Sequence, residues 1–326
     1  MPSTFHIEAH KTHLSWSRNQ PPIQTVPSGS TLTLSLPDGG GNQITPTNAA
    51  TALSTFDLSK ADPAVGPIYV EDADPGDVLK VEVLSLTPAT FGWTAVLPNF
   101  GLLSDEFPFP QHEGNGGLLH MWDLKSAPRT GKIPFRTSDP TRAIEIPYAP
   151  FLGIMGVAPD TEDPLPTIPP YRTGGNLDCR HLVAGSTLFL PIAVPGALFS
   201  CGDGHAAQGD GEVCGTAIET PMDATLRLTV EKGMPWVTSP HYVAPPRRAE
   251  ENLMGEYAAM GVGPDLREAT RDALRGLMAW LQGEKGLTRE ESYVLASVAG
   301  NLKVVEVVDM PNYVVACAIP LSIFRY

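Results

Sequence analysis

The sequence predicts a mainly β, α+β fold, and three observations support this prediction. Several segments alternate polar and apolar residues with the period of two that is typical of half-buried strands. Proline and glycine are abundant, with 33 prolines and 31 glycines in 326 residues, which favours many short strands joined by turns. Helical periodicity is seen only late in the chain.

The N-terminal half is expected to contain strands at 23–26, 31–36, 66–71 and 78–84. Glycine-rich and proline-rich turns separate them, at 37–41 and 74–77. The third strand begins with a proline, where a missing ladder donor costs little. The interval 98–117 predicts a long surface loop.

The C-terminal half is expected to be β-rich as well. The proline-rich stretch 159–175 predicts irregular backbone, and strands are expected at 176–178, 186–192, 224–230 and 313–319. We expect an N-terminal β-rich region at 1–160 and a catalytic β region at 161–326, which together form one integrated fold.

Two helices are expected near the C-terminus. An apolar stripe runs from Leu266 to Leu281, and Gly283 is expected to follow the end of this first helix. The second helix is expected to begin at Thr288, with Glu291 completing a capping box, and to end near Gly300. The predicted fold is therefore a β-rich core with a C-terminal helical pair.

Charge and composition exclude several classes of partner. The formal charge of −14 argues against binding to nucleic acid or to an anionic membrane, since both require a basic surface. The N-terminus is polar and no window of eighteen apolar residues is present, so a cytoplasmic location is expected. Four cysteines do not form a disulfide framework in a chain of this length.

The segment 201–220 is the densest run of chemically useful side chains. Carboxylates beside a histidine can bind a metal or transfer protons, and glycines allow the backbone to approach a ligand closely. The side chains of this kind in the segment are Asp203, His205, Asp210, Glu212 and Glu219. Five glycines and Gln208 lie among them. We interpret the segment as the active site.

Strand geometry suggests how these residues act together. If the backbone from Asp203 to His205 is extended, both side chains face the same ion, and Asp178 joins them from a neighbouring strand together with Asn176. Oxygen and nitrogen ligands of this kind, with water, form an open catalytic metal site. Glu219 is interpreted either as a further ligand or as part of a salt bridge at the rim.

A tight turn at Gly209, Asp210 and Gly211 would return Glu212 to the same cavity. Glu212 could then remove a proton from water, and the N–H groups of the turn could stabilise an oxyanion. Asp210 between two glycines suits a turn former, and it also remains a catalytic candidate. Glu71, a carboxylate at the end of an apolar strand, is a candidate for substrate binding.

Other interpretations remain open. A lone His205 would more often be a structural, hydrogen-bonded histidine. Cys214 could act as a nucleophile activated by Glu212 or Glu219, although buried cysteines are usually inert. A third possibility is a non-catalytic β-sandwich in which calcium shapes a loop that binds a small ligand.

The chain resembles the acetamidase/formamidase family through motifs spread along its length in the expected order. The central run 202–219 carries the most specific part of the resemblance. Four further blocks agree with the family, namely 66–71 with 75–77, 150–153 with 156–159, 174–178, and 296–300 with 307–309.

The resemblance implies hydrolysis of a short linear amide, such as formamide or acetamide, to a carboxylate and ammonia. It also implies a β-sandwich-like fold, a divalent metal that is zinc or calcium, and a homo-oligomer. In this interpretation Asp178, Asp203, His205 and Glu219 hold the metal. Glu212 is the general base and then acid, and the amide is positioned by Gln208 and the N–H groups of the glycines, with Cys214 nearby.

Overall fold

The computed structural model describes residues 4–8, 11–100, 117–135, 144–208, 212, 215–245, 255–286 and 301–321. The strands of the N-terminal half are β1 (Thr4–Ile7), β2 (Thr12–His13), β3 (Ser15–Trp16), β4 (Gln24–Val26), β5 (Ser30–Leu36), β6 (Ala64–Val70), β7 (Val78–Pro88), β8 (Phe91–Val96), β9 (Leu118–Asp123), β10 (Lys132–Phe135), β11 (Ile144–Pro147) and β12 (Phe151–Gly156).

The remaining strands are β13 (Leu165–Pro166), β14 (Pro170–Tyr171), β15 (Gly174–Asn176), β16 (Thr187–Pro191), β17 (Phe199–His205), β18 (Met222–Glu231), β19 (His241–Ala244), β20 (Glu256–Gly263), β21 (Asn301–Glu306) and β22 (Tyr313–Pro320). The helices are α1 (Ala52–Thr55), α2 (Ala127–Thr130) and α3 (Leu266–Lys285), with a 3₁₀ turn at Leu58–Lys60.

Two large sheets dominate the described part of the chain. The first has nine strands in the order β1-β5-β18-β7-β16-β19-β20-β22-β21. The second has the order β14-β15-β12-β17-β6-β2, with β4 beside β6. Strands β5, β7 and β18 carry buried residues at alternate positions, as period-two sequences require.

The main hydrophobic core lies between these sheets. It combines side chains of the first sheet, such as Leu34 and Leu226, with side chains of the second, such as Ile68 and Phe199. Two sheets packed through their apolar faces form a sandwich. The prediction of a mainly β, sandwich-like α+β fold is therefore confirmed.

The first sheet joins distant parts of the chain. Strand β18 lies between β5 and β7, so a strand from the C-terminal half is hydrogen-bonded on both sides to strands from the N-terminal half.

Among the described residues, no helix is long and apolar enough to cross a membrane.

Helix α3 packs on the outer face of the first sheet against β20 and β22, through Ala273, Leu277 and Leu281. It begins at the N-cap Asp265, whose carboxylate accepts a hydrogen bond from the Glu268 N–H at 2.8 Å. The expectation that it ends before Gly283 is wrong. The helix continues to Lys285 and is capped by Gly286 in the left-handed conformation.

The other differences are local. The stretch 159–175 is less irregular than expected, because it contributes the two-residue strands β13 and β14 and the start of β15. The short strand expected at 176–178 instead ends at Asn176. The second helix expected at 288–300 lies outside the described residues, as does most of the loop expected at 98–117.

Close packing of α3 on β20 depends on Gly261. A Cβ atom at this position would lie 1.9 Å from the carbonyl oxygen of Ala269. We expect Gly261→Ala to push the helix off the sheet and to lower the free energy of unfolding by about 1–3 kcal/mol, measured by denaturant unfolding. Gly263→Ala is the matched control, because a Cβ at Gly263 meets no atom within 4 Å. Equal stability of both variants would contradict this account.

Candidate active site

The candidate site is a group of buried carboxylates around His205, at the end of β17. His205 is 1% exposed and Asp203 is 3% exposed. The Nε2 atom of His205 lies 3.0 Å from Asp203 Oδ2 and 3.2 Å from Glu219 Oε2. The three residues therefore converge on one small volume, as the sequence predicts for a shared ligand.

The backbone achieves this convergence in an unexpected way. Asp203 has a φ of +57°, so the backbone there is left-handed rather than extended. Glu219 reaches His205 from a separate segment, through an isolated antiparallel bridge between the two residues. The contact between Asp203 and His205 thus comes from a local break in the strand and not from regular alternation.

Asp178 and Glu212 complete the group. Ligand atoms of Asp178, His205 and Glu212 lie within 4.8 Å of one another, and the same holds for Asp203, His205 and Glu219. Strand β12 lies between β15 and β17, so Asp178 does not come from a strand adjacent to β17. It reaches the site because Gly153, in β12, has no side chain to separate it from Asp203.

Two glycines make room for these carboxylates. A Cβ at Gly153 would lie 2.1 Å from Asp203 Oδ2 and 2.5 Å from Asp178 Oδ1. A Cβ at Gly39 would lie 2.6 Å from Asp203 Oδ1 and 3.0 Å from Glu219 Oε2. Both distances are shorter than real Cβ contacts, so a side chain at either position would displace these carboxylates.

Gln208 bridges two members of the group. Its Oε1 lies 2.9 Å from His205 Nδ1, and its Nε2 donates a hydrogen bond of 2.8 Å to the backbone carbonyl of Asp178. These contacts fix the orientation of the imidazole ring. An amide oxygen at Nδ1 requires that nitrogen to carry its hydrogen, which leaves Nε2 facing the carboxylates.

Left-handed backbone is concentrated at the site. Asp62, Asp178, Asp203 and Glu212 all have φ between +43° and +57°. Non-glycine residues rarely adopt this region, and such strain persists where the surrounding structure enforces it, often at functional sites. Three of these residues, Asp178, Asp203 and Glu212, belong to the carboxylate cluster.

Burial shifts the ionisation of the cluster. Burial is the main reason that the pKa values of Asp178 and Asp203 rise to about 6, and it raises the pKa of Glu212 well above its ordinary value. Burial by itself would lower the pKa of His205. The carboxylates of Asp203 and Glu219 outweigh that effect and raise it well above its ordinary value.

The arrangement fits a divalent cation. The buried atoms Asp178 Oδ1 and Asp203 Oδ1 have no hydrogen-bond partner among the described residues. Unpaired buried carboxylates are costly, and a coordinated cation would compensate them. Carboxylate oxygens with one imidazole nitrogen suit a hard or borderline ion, and Asp178, Asp203, His205 and Glu219 could hold it, with Glu212 beside them.

A small cavity of about 40 Å³ opens beside the cluster. Its lining includes polar groups, among them Asn176, Asp178, Glu212 and Asp309, as well as apolar side chains such as Phe56. Asn176 donates a hydrogen bond of 3.0 Å from Nδ2 to Asp309 Oδ2. The cavity thus offers a polar floor next to the cation-binding atoms.

The structure does not bring every candidate to this place. Glu71 is exposed and follows β6 at the end opposite to Asp62, which lines the cavity. Four candidates lie outside the described residues, namely Gly209, Asp210, Gly211 and Cys214.

Sequence reasoning missed several residues of the site. Asp38 and Gly39 stand in a segment interpreted only as a turn, whereas Glu306 is the last residue of the distant strand β21 and Asp309 follows it. Asp38 is fully buried, and burial raises its pKa to about 6. The run of three glycines after Asp38 was a signal for close backbone approach that could have identified this segment.

The glycine at position 153 provides a test of the cation site. We expect Gly153→Ala to displace Asp178 and Asp203 and to weaken binding of a divalent cation about 10–100-fold. Calorimetric titration of Zn²⁺ and of Ca²⁺ into chelator-treated protein measures the affinity for each cation. Gly263→Ala, which meets no neighbouring atom, should bind like the parent protein. Unchanged affinity in Gly153→Ala would refute the assignment.

The raised pKa values predict how the stability of the metal-free protein depends on pH. Carboxyls such as Asp203 and Glu306, with pKa values of about 6 and about 7, bind protons in the folded state where the unfolded chain is ionised. His205 adds to this loss only above pH 6.5, its ordinary pKa, because there it stays protonated in the folded state while the unfolded chain loses its proton. The melting temperature should therefore fall as pH rises from about 4 to about 7.

Asp203→Asn is the control for this pH profile, because it removes one titrating group at nearly constant volume. Its melting temperature should fall less steeply over the same range. A metal-free parent protein that becomes more stable as pH rises would show that these carboxyls are not protonated in the folded state.

Comparison with known proteins finds relatives named as amidases. The chain is 26% identical to a formamidase of Methylophilus methylotrophus, over 96% of this chain and 89% of the relative. It is 25% identical to an acetamidase of Mycolicibacterium smegmatis, over 87% and 84% of the two chains. The crystal structure of an acetamidase from Bacillus halodurans superposes with a TM-score of 0.84 and 27% identity, and covers 98% of each chain.

A family model spans nearly the whole sequence. The model of the acetamidase/formamidase family matches residues 2–164 and 161–326. These matches contain every residue of the cluster around His205, including those contributed by distant segments. The chain belongs to the acetamidase/formamidase family.

Proposed function

We propose that the protein hydrolyses short linear amides to a carboxylate and ammonia, with the help of a divalent cation. Family membership and relatives named formamidase and acetamidase support amide hydrolysis. The main support for the cation comes from two buried carboxylate oxygens, Asp178 Oδ1 and Asp203 Oδ1. Neither atom has a hydrogen-bond partner among the described residues.

Zinc or calcium is the expected cation. When bound, such an ion polarises a carbonyl group and increases the acidity of a water molecule. Asp178, Asp203, His205 and Glu219 are proposed to hold it. Gln208 is proposed to act as a positioning residue, because it contacts His205 and the backbone of Asp178.

Glu212 is proposed as the general base and then the general acid. It is 6% exposed and lines the cavity beside Asp178. Its raised pKa suits a group that accepts a proton from water and returns it to the departing nitrogen. Unactivated amides hydrolyse slowly, so proton transfer to the nitrogen is needed for the C–N bond to break.

The size of the cavity favours a small substrate. A buried water molecule needs a cavity of roughly 10–15 Å³. The cavity of about 40 Å³ therefore has room for a molecule of three or four non-hydrogen atoms. Formamide and acetamide have this size.

A cysteine nucleophile finds no support among the described thiols. Cys179, Cys201 and Cys317 are buried, and burial raises the pKa of the Cys201 and Cys317 thiols. Cys214, the earlier candidate, lies outside the described residues. A cytoplasmic location and a homo-oligomeric state remain predictions from the sequence and the family resemblance.

Ammonia release tests the proposed reaction. The purified protein should release ammonia from formamide and acetamide, and a chelator should abolish this release. His205→Ala should lose bound metal and activity together. Glu212→Gln should lower kcat by about 10²–10⁴-fold while the melting temperature stays near that of the parent protein. Full activity in the presence of chelator, or in His205→Ala, would exclude the proposed mechanism.

A further inference from the structure

We propose that Phe56, Trp93 and Leu97 form an acyl wall that limits the length of the substrate's carbon chain. These three apolar residues line the same cavity as the carboxylates Asp178 and Asp203. This inference rests on the proposed amide hydrolysis, because it assigns a binding surface to the non-reacting end of the amide.

Trp93 is the rigid part of the acyl wall. It is 2% exposed, and its indole N–H donates a hydrogen bond of 3.0 Å to Asp38 Oδ2. The Phe56 ring packs edge-on against it, with 6.3 Å between the ring centroids. A Cβ at Gly40 would lie 2.7 Å from the indole, so the backbone also closes against the ring. Trp93 therefore cannot move to admit a larger ligand.

The acyl wall is fixed relative to the cation-binding atoms. The backbone N–H of Trp93 donates a hydrogen bond of 2.9 Å to the backbone carbonyl of Glu219. The backbone N–H of Glu219 donates one of 2.8 Å to the backbone carbonyl of Trp93. The Glu219 carboxylate contacts His205. Two backbone hydrogen bonds thus set the separation between the acyl wall and the reacting centre.

The apolar and polar residues that line the cavity would orient an amide. The indole N–H of Trp93 is engaged by Asp38, so Trp93, Phe56 and Leu97 present carbon surface to the cavity. The same cavity is lined by carboxyl and amide groups, which suit the polar carbonyl and amino groups of a substrate. An alkyl group is therefore expected to point at the acyl wall, where each added methylene must find room.

Phe56 offers the best position for enlarging the cavity. It is half-buried beside the short helix α1, and the hydrogen bond between Trp93 and Asp38 does not involve it. Truncation at Phe56 should therefore open space while it leaves the rigid indole and the carboxylates in place. Leu97, also half-buried, allows a second and independent truncation.

The experiment compares substrates of increasing chain length. We expect Phe56→Ala to raise the ratio of kcat/KM for propionamide to that for acetamide about 10–100-fold, because these substrates differ by one methylene and a hydrophobic pocket discriminates by about that factor per methylene. Leu97→Ala should change the ratio in the same direction. Phe91→Ala is the matched control, since Phe91 is a half-buried phenylalanine of β8 that lines a different surface depression.

A binding measurement separates this inference from the proposed reaction. Calorimetric titration of metal-loaded protein with acetate and with butyrate requires no turnover. Phe56→Ala should strengthen binding of butyrate relative to acetate, and Phe91→Ala should not. If the parent protein releases no ammonia, the proposed reaction is wrong. The relative affinities for acetate and butyrate still test whether the acyl wall limits chain length. Chain-length preferences of Phe56→Ala and Leu97→Ala that match the parent protein would overturn the inference.

Discussion

Buried negative charge without enough positive partners is the constraint on which this site depends. Asp178, Asp203, Glu212 and Glu219 are nearly inaccessible to solvent, and His205 is the basic side chain that contacts two of them. Taking carboxylates out of water without compensation is costly. The metal-free protein can reduce that cost by keeping some of them protonated, which agrees with the raised pKa values of Asp178 and Asp203. A bound cation would reduce it in another way.

The rest of the fold serves to hold these groups against their mutual repulsion. The two packed sheets provide a rigid frame, and the carboxylates project from the ends of strands or from the segments that follow them. Local strain is part of the cost of this arrangement, since Asp178 and Asp203 adopt left-handed backbone. Glycines reduce the steric cost, because Gly39 and Gly153 leave space that any side chain would fill. Affinity for a cation therefore depends on residues that never contact it.

The same framework connects the cation site to the surface that would meet the substrate. Trp93 is bonded to Glu219 through its backbone and to Asp38 through its indole, so it belongs both to the cavity wall and to the buried polar network. This connection explains how a cavity can be small and well defined although it lies next to repelling charges. The relatives named formamidase and acetamidase act on amides with few carbon atoms, according to their names, and a rigid apolar wall agrees with such substrates.

The sequence by itself determined the class of fold and the central part of the site. Period-two alternation identified strands such as β5, β7 and β18, because half-buried strands must alternate apolar and polar residues. The density of possible ligands between Asp203 and Glu219 indicated the site, although the contact of Glu219 with His205 depends on a bridge between separate segments. Only the tertiary structure decided that Asp38, Asp62 and Asp309 join it, that Glu71 does not, and that Trp93 bounds the cavity. Those contacts are made by strands that are distant in sequence, and the pairing of such strands leaves no local pattern.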